Sequence, residues 1–571
     1  MSQATSSSAD GKFVVAAINP DSLAPRGEAL LAKSVTAADM PAFLTEVNEV
    51  SVDFRELMAG LTRAKDEDTA DEDAKNAYLD FVGRVLPELV RLDDLLNRKL
   101  LAVPGYEPPP ELAGTWVDMR DAVELFRQEN LPLMAEEAAL GQRYGEIAGG
   151  LRIELDGEVL TLGQAQSKLE SPDRALRERA YRAIVAGRTA LFADLDVLFS
   201  RLMTVRNQTA RNVGLPDYRA LAWRQLKRRE YTPEDTLRMH EAVEREVVPR
   251  LREVYARRAR LLGLERLRPW DLACDVRGRE ALEPFESVRE LEEGLGRMFH
   301  ALDPELAAGY ELLRDGWMDL EPRPTKVPGL GYQNYFPRSR RPYVYWSTVG
   351  TDDDLLTMRH EAGHAFHSVL TQNAWPYLWH FSERPEMNEL ASQAMELLTL
   401  PYLTREKGGF YDAEDAGRSQ AALLVRALEL LVQASKVDAV QHFVYTHPAE
   451  DGPSIEEIDA EWVRLSKRFD VGVDYTGFEG PVAKGWQIIH VFLFPFYYIE
   501  YAMAYLGALQ VWENARRDAP KALADYKAAL SLGGTRPLDE LYETAGVSFR
   551  FDQATIAHLA ELAVEALGEE A

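Results

Sequence analysis

Cysteine is almost absent from this chain: Cys274 carries the one thiol among 571 residues. An internal disulfide and a thiolate metal cluster are both excluded, and the expected setting is a reducing cytoplasm. Positive charge is also short, with 65 Lys and Arg against 93 Asp and Glu and a formal net charge of -28. Nucleic acid is therefore a poor partner, because holding phosphates needs basic patches that release counterions. Long apolar runs are missing too. The stretch nearest to a membrane span, 491–512, is interrupted by Pro495, Glu500 and Gln510 and holds four tyrosines, so it reads as a buried helix and no membrane contact is expected. The opening MSQATSSSADGKF has neither a basic nor an apolar segment of the kind that directs export. Internal repeats are absent, and the short serine tract near the N-terminus is the only low-complexity segment.

What is present suits a large folded core: 46% of the residues are hydrophobic, enough for two to four domain-sized units or interleaved lobes. Helical spacing of apolar residues runs from about 37 to 103, as an antiparallel pair with the acidic DEDTADEDA as its turn. It resumes from 115 to about 147, after PGYEPPP has broken it. Around 151–162, LRIEL and EVLTL flank Asp156-Gly157, a pair suited to a two-residue hairpin turn. Two long helices are then expected, one following Ser171 as its cap and one following Thr232, with Pro233 in its first turn. Between 322 and 350 the pattern turns to Pro, Gly and aromatic residues. It ends in PYVYWSTVG, which predicts a small sheet.

Next comes a helix from about 352 to 372, with Thr351 and Asp352 as candidate caps. It carries His360, Glu361 and His364. Histidines four apart on a helix lie about 40° apart around the axis and one turn apart along it, so both rings reach one ion. Glu361 falls beside them, placed to act on a water as a general base without ligating the ion. A catalytic site needs a third protein ligand. Glu383, Glu386, Glu389 and Glu396 are the nearby carboxylates, and Glu389 and Glu396 share one face of a second helix beginning near Met387.

Three blocks then carry a family resemblance: HEAGHAFH at 360–367, ELASQAME at 389–396 and HVFLFPFYYIEYAMAYLGALQVW at 490–512. In their order and near spacing the chain resembles the thimet oligopeptidase and oligoendopeptidase F family of zinc metallopeptidases, most of all its bacterial branch. SPDRALRERA, LRPWDL at 267–272 and the aromatic strand extend the likeness to about 150–560. The chain divides accordingly into an N-terminal helical region, 1–150, and a catalytic metallopeptidase region, 151–571.

The resemblance implies a mainly α fold in which two helical lobes enclose a deep channel, with a zincin-type catalytic domain and a small β-sheet near the site. It implies one zinc ion per chain held by His360, His364 and Glu389, with Glu361 as base and Glu396 and His367 supporting the ligands. In the third block His490, Tyr498 and Tyr501 are the implied donors to the tetrahedral intermediate. Tyr497 and Tyr505 are the alternatives, since the family spacing fits only with a one-residue shift. The expected activity is hydrolysis of internal bonds in short unstructured peptides, with Glu361 activating a zinc-bound water. The alternatives are a peptidyl-dipeptidase acting at chain ends and a peptide-binding protein with a structural metal. The family often has a Cys-Thr pair before the metal helix, whereas this chain has GYQNYFPRSRRPYVYW. Arg338, Arg340 and Arg341 there read as solvated loop charges, and the strand from Tyr343 to Val349 as the one that pairs with an extended substrate.

Overall fold

In the computed structural model, residues 18–327, 330–381 and 384–568 are described; helices dominate, and two small sheets interrupt them. The opening segment, with its serine tract, and Glu383 lie outside the described residues. The N-terminal pair forms as its spacing predicts. Met40–Glu67 is answered by Glu72–Asp80, a π-turn at Phe81–Val85 and Leu86–Leu101. Phe43 and Val47 share a cluster with Leu96 and Leu100, and Leu57 shares one with Phe81 and Val85, so the two arms are antiparallel. Half of the acidic run is cap rather than turn: Asp71 accepts from Ala74 N, and Glu72 and Asp73 sit in the positive first turn.

Two segments that read as single helices are each split. The stretch 115–147 becomes Ala113–Leu125 and Leu131–Gly149, with Phe126 extended between them. Pro132 accounts for the restart, because a proline in the first turn lacks only an N–H that would have no helical partner there. After the hairpin, Arg174–Thr189 and Phe192–Val213 replace one long helix. Ala190 and Leu191, at that break, are good helix formers, so periodicity carries no mark of it. Ser171 is not the cap. Asp173 is, accepting from Ala175 N, while Ser171 Oγ accepts from Asp173 N at 3.1 Å. Thr232 does cap Pro233–Leu261, in a reciprocal pair with Asp235.

The hairpin strands are β1 (Ile153–Leu155) and β2 (Glu158–Leu160), joined through Asp156 and Gly157 at φ of 53° and 91°. A second sheet has the order β3 (Met318–Asp319), β5 (Arg341–Tyr345), β4 (Tyr332–Phe336). This corrects one expectation: β5 is the middle strand and is paired on both sides, so β4 offers the sheet's free edge toward the channel.

One large core runs from Tyr144 to Leu567, and the N-terminal helices keep separate clusters. Between these bodies lies a channel of about 1750 Å³, lined by residues from Arg55 and Tyr78 to His360, Glu389 and Tyr501. No described helix is long and apolar enough to cross a membrane.

Candidate metal centre

The helix Asp352–Ala374 starts where a side chain stops the preceding strand. Asp354 Oδ2 accepts from the amides of Val349, Gly350 and Thr351 at 2.7, 2.8 and 2.9 Å, and Thr351 Oγ1 accepts from Asp354 N in return. Trp346 Nε1 donates to Asp354 Oδ1 at 2.8 Å. The end of β5 and the first turn of the helix are thus one unit, which fixes how far His360 stands from the sheet. Against this helix packs Pro385–Leu398, and the contact depends on a glycine. A Cβ at Gly363 would lie 2.5 Å from Ala391 O and 2.6 Å from Ser392 Cα, closer than such atoms approach. The glycine inside the His-Glu-Ala-Gly-His run therefore brings Glu389 to the histidines.

Glu389 Oε2 lies 3.4 Å from His360 Nε2 and 3.7 Å from His364 Nε2. Ligands about 2.1 Å from one ion in a tetrahedral arrangement stand about 3.4 Å apart, so both carboxylate-to-imidazole spacings suit a shared metal. The hydrogen bonding fits as well. His360 Nδ1 donates to Glu396 Oε1 at 2.7 Å, so Nε2 is the atom that an ion would bind in exchange for its proton. Among the described residues these three form the one group of three or more His, Cys, Asp or Glu able to share an ion.

Charge at the site is strongly redistributed. Burial opposes ionisation of Glu389, but the positive charges of His364 and His360 and the Tyr497 hydroxyl outweigh it and hold the carboxyl at about 2. Burial takes His364 down to about 4, and takes His367 down to about 3. Glu361 moves the other way. Burial pushes it up to about 7, with the charge of His360 opposing and those of Glu389 and Glu396 adding to the rise. Its Oε2 is buried without a hydrogen-bond partner on the channel wall.

The third block departs from the buried helix that its composition suggests. It is a short turn of helix, Ile489–Leu493, then a break, then Tyr498–Arg517. Pro495 lies in the break and Phe496 takes φ of 66°, which no helix accommodates. His490 Nε2 lies 3.3 Å from Tyr501 Oη, while Tyr498 meets His490 edge-on through its ring, centroids 4.6 Å apart. Burial lowers His490 to about 4.

The other two tyrosines hold the carboxylates. Tyr497 Oη donates to Glu389 Oε1 at 2.6 Å, and Tyr505 Oη donates to Glu396 Oε2 at 2.8 Å. Sequence reasoning left both as mere alternatives to Tyr498 and Tyr501. Their spacing alone gives no signal, since Tyr498, three residues from Tyr501 and seven from Tyr505, shares a helix face with them.

Other candidates fall elsewhere. His367 lines the channel beside His364, with Nε2 unpartnered and no hydrogen bond to a ligand. Glu386 accepts from Tyr231 Oη at 2.6 Å, away from the three donors. Of the arginines before the helix, Arg338 and Arg340 are exposed, as expected of solvated loop charges, and Arg341 is half-buried; none of the three lines the channel. Arg338 pairs with Glu49 at 2.8 Å and Asp53 at 2.6 Å, and Arg341 donates to Leu312 O at 3.3 Å.

Comparison with known proteins gives the chain a family and a fold. The profile of peptidase family M3 matches residues 167–561. An oligoendopeptidase F homolog of Lactococcus lactis subsp. lactis is 22% identical over 396 residues, 68% of this chain and 62% of that protein. The chromosomal oligoendopeptidase F of Lactococcus lactis subsp. cremoris is 23% identical over 404 residues, again 62% of its length. The chain thus spans about three fifths of the curated relatives it matches. A solved structure described as PZ peptidase A with inhibitor 2 has the same fold, with a TM-score of 0.91 at 24% identity, covering 98% of this chain and all of that one. The chain belongs to peptidase family M3.

Proposed function

We propose that this member of peptidase family M3 is a zinc-dependent oligoendopeptidase that hydrolyses internal bonds of short, unstructured peptides. One observation carries the reading: three donors able to share one ion and a buried glutamate whose Oε2 has no partner share one channel wall. Two imidazoles and a carboxylate, with a fourth position left open, are the donor set of hydrolytic zinc. When bound there, zinc polarises the peptide carbonyl and makes a water acidic enough to attack it.

The chain's own groups do the rest. Glu361 takes the proton of the attacking water and passes it to the departing amine, its carboxylate buried on the channel wall beside the donors with Oε2 free to accept. His490 and Tyr501 donate to the oxyanion, with Tyr498 holding the face of His490. Glu396 orients His360, and Tyr497 fixes the angle of Glu389. The peptide adds to the free edge of β4, whose residues Tyr332 to Tyr335 line the channel, so its main chain is read and its sequence preference is broad. In this reading 151–571 is the catalytic region and 1–150 supplies a wall that admits only narrow chains. The names of the relatives, oligoendopeptidases among them, support the endopeptidase form. The single cysteine, buried as a free thiol, supports a cytoplasmic site of action.

The test is Glu361→Gln measured beside wild type on a mixed peptide library, with cleavage positions read by mass spectrometry and bound zinc by elemental analysis. Turnover is expected to fall about 10²- to 10⁴-fold with zinc retained, and chelation is expected to silence the wild type. Undiminished turnover in the variant sinks the mechanism.

A further inference from the structure

The break that carries His490 and Tyr501 has no regular backbone between Leu493 and Tyr498, and Phe492 and Phe496 are fully buried. Buried backbone carbonyls at the end of a helical turn need donors from elsewhere. Two arginines distant in sequence supply them. Arg206, on Phe192–Val213 and 1% exposed, donates to Phe492 O at 2.5 Å, to Val491 O at 3.4 Å and to Tyr445 Oη at 2.7 Å. Arg228, whose side chain is wholly buried, donates to Phe496 O at 2.5 Å and through Nε to Glu500 Oε1 at 3.0 Å. On the other side of the same residue, Gln441 Oε1 accepts from Phe496 N at 2.6 Å.

The left-handed Phe496 is therefore held at both its amide and its carbonyl. Arg228 grips the residue before Tyr497 and the residue before Tyr501, and so sets the pitch between the hydroxyl on Glu389 and the hydroxyl on His490. Arg206 does the same for the turn that ends three residues after His490. Its Nε also holds Glu137 at 2.7 Å, a channel-lining residue of Leu131–Gly149 in the N-terminal region.

Guanidinium groups are costly to bury, and packing alone is better served by apolar side chains of similar size. What a guanidinium adds is a planar fork of donors with fixed directions, which orients several acceptors at once. We propose that Arg206 and Arg228 are positioning residues: they hold His490, Tyr497 and Tyr501 in register with the metal-binding carboxylate without touching the substrate. The inference rests on the peptidase reading above. It also assigns Glu137 a part in the chemistry, since it links the N-terminal wall to the turn of His490 through Arg206.

The test uses the full-length protein with its metal and compares Arg206→Lys, Arg228→Lys, Gln441→Leu and Glu137→Gln with wild type. A lysine keeps the charge but cannot reach two acceptors in fixed directions. Three quantities are measured: kcat and KM on one peptide, bound metal, and hydrogen exchange of the segment 489–501. The lysine variants and Gln441→Leu are expected to lose kcat by about tenfold or more, with KM and metal content within about twofold of wild type, because small misplacements of donors act on turnover. Exchange should rise in 489–501 and stay unchanged in the helices of His360 and Glu389. Glu137→Gln, at a partly exposed position, should fold normally and show a smaller fall of the same kind.

The proposal is overturned if 489–501 loosens while kcat stays within about twofold, or if kcat falls only in step with metal content or folded protein. Should the buried variants fail to fold, Glu137→Gln decides, and an unchanged kcat there counts against the proposal. Glu361→Gln is run alongside. If it keeps its turnover, the peptidase mechanism fails, whereas a normal loss there with unaffected arginine variants removes the positioning role alone.

Discussion

The two halves of the site are built by opposite means. His360, His364 and Glu389 stand on two regular helices, each continuous through its ligands and joined at Gly363. His490 and Tyr501 stand on either side of a break, and the backbone between them is held by side chains from three other helices or loops. The first half is rigid because its local rules agree with one another: cap, period and close approach all specify the same placement. The second half owes its shape to contacts more than two hundred residues away in sequence, or about fifty in the case of Gln441. A metal needs donors within a few tenths of an ångström of fixed positions, which regular helices supply most simply. An oxyanion donor has to reach over a substrate, and a broken helix can place a side chain where a straight one would not.

His364→Ala breaks this comparison most severely. It is expected to abolish metal binding and turnover together, as measured by elemental analysis and peptide hydrolysis, because two donors remain where three are needed. Retained metal would show that the helical half is not the ligand set. Tyr501→Phe is expected to lower kcat about 10²-fold with metal content unchanged, whereas Tyr497→Phe should weaken metal affinity instead; equal effects of the two would erase the distinction between the halves. Glu396→Gln should weaken metal affinity about 10- to 100-fold, read from chelator competition, because His360 Nδ1 loses a charged partner. Gly363→Ala has the smallest expected effect, on stability: it forces the helices of His360 and Glu389 apart, and should destabilise the fold by about 1–3 kcal/mol in thermal unfolding and weaken metal binding along with it.

The same contrast explains what the sequence disclosed. Thr351, the period of the His360 helix and the Asp156-Gly157 turn act through near neighbours, so their spacing in the chain carries their role. The mainly helical architecture, the small sheet and the channel between helical bodies follow the family resemblance. The edge role of β4 was hidden because strand order depends on pairing between segments, and PYVYWSTVG has the composition of either a middle or an outer strand. Pro495 marks an interruption but does not announce that Phe496 turns left-handed, so spacing did not tell which tyrosines meet the carboxylates. Arg206 and Arg228 carried no signal, since an arginine in a helical segment reads as surface charge until its acceptors are placed beside it.

The position of β4 has a consequence for the molecule's behaviour in a crowded solution. The last strand of a sheet is a template on which other copies of a chain can assemble, and open edges of this kind promote aggregation. Here that strand borders an internal channel rather than the outer surface. A second folded molecule is hindered from bringing a strand alongside it, so the enclosure that the proposed function uses to select loose peptides would also guard this edge against pairing with another copy.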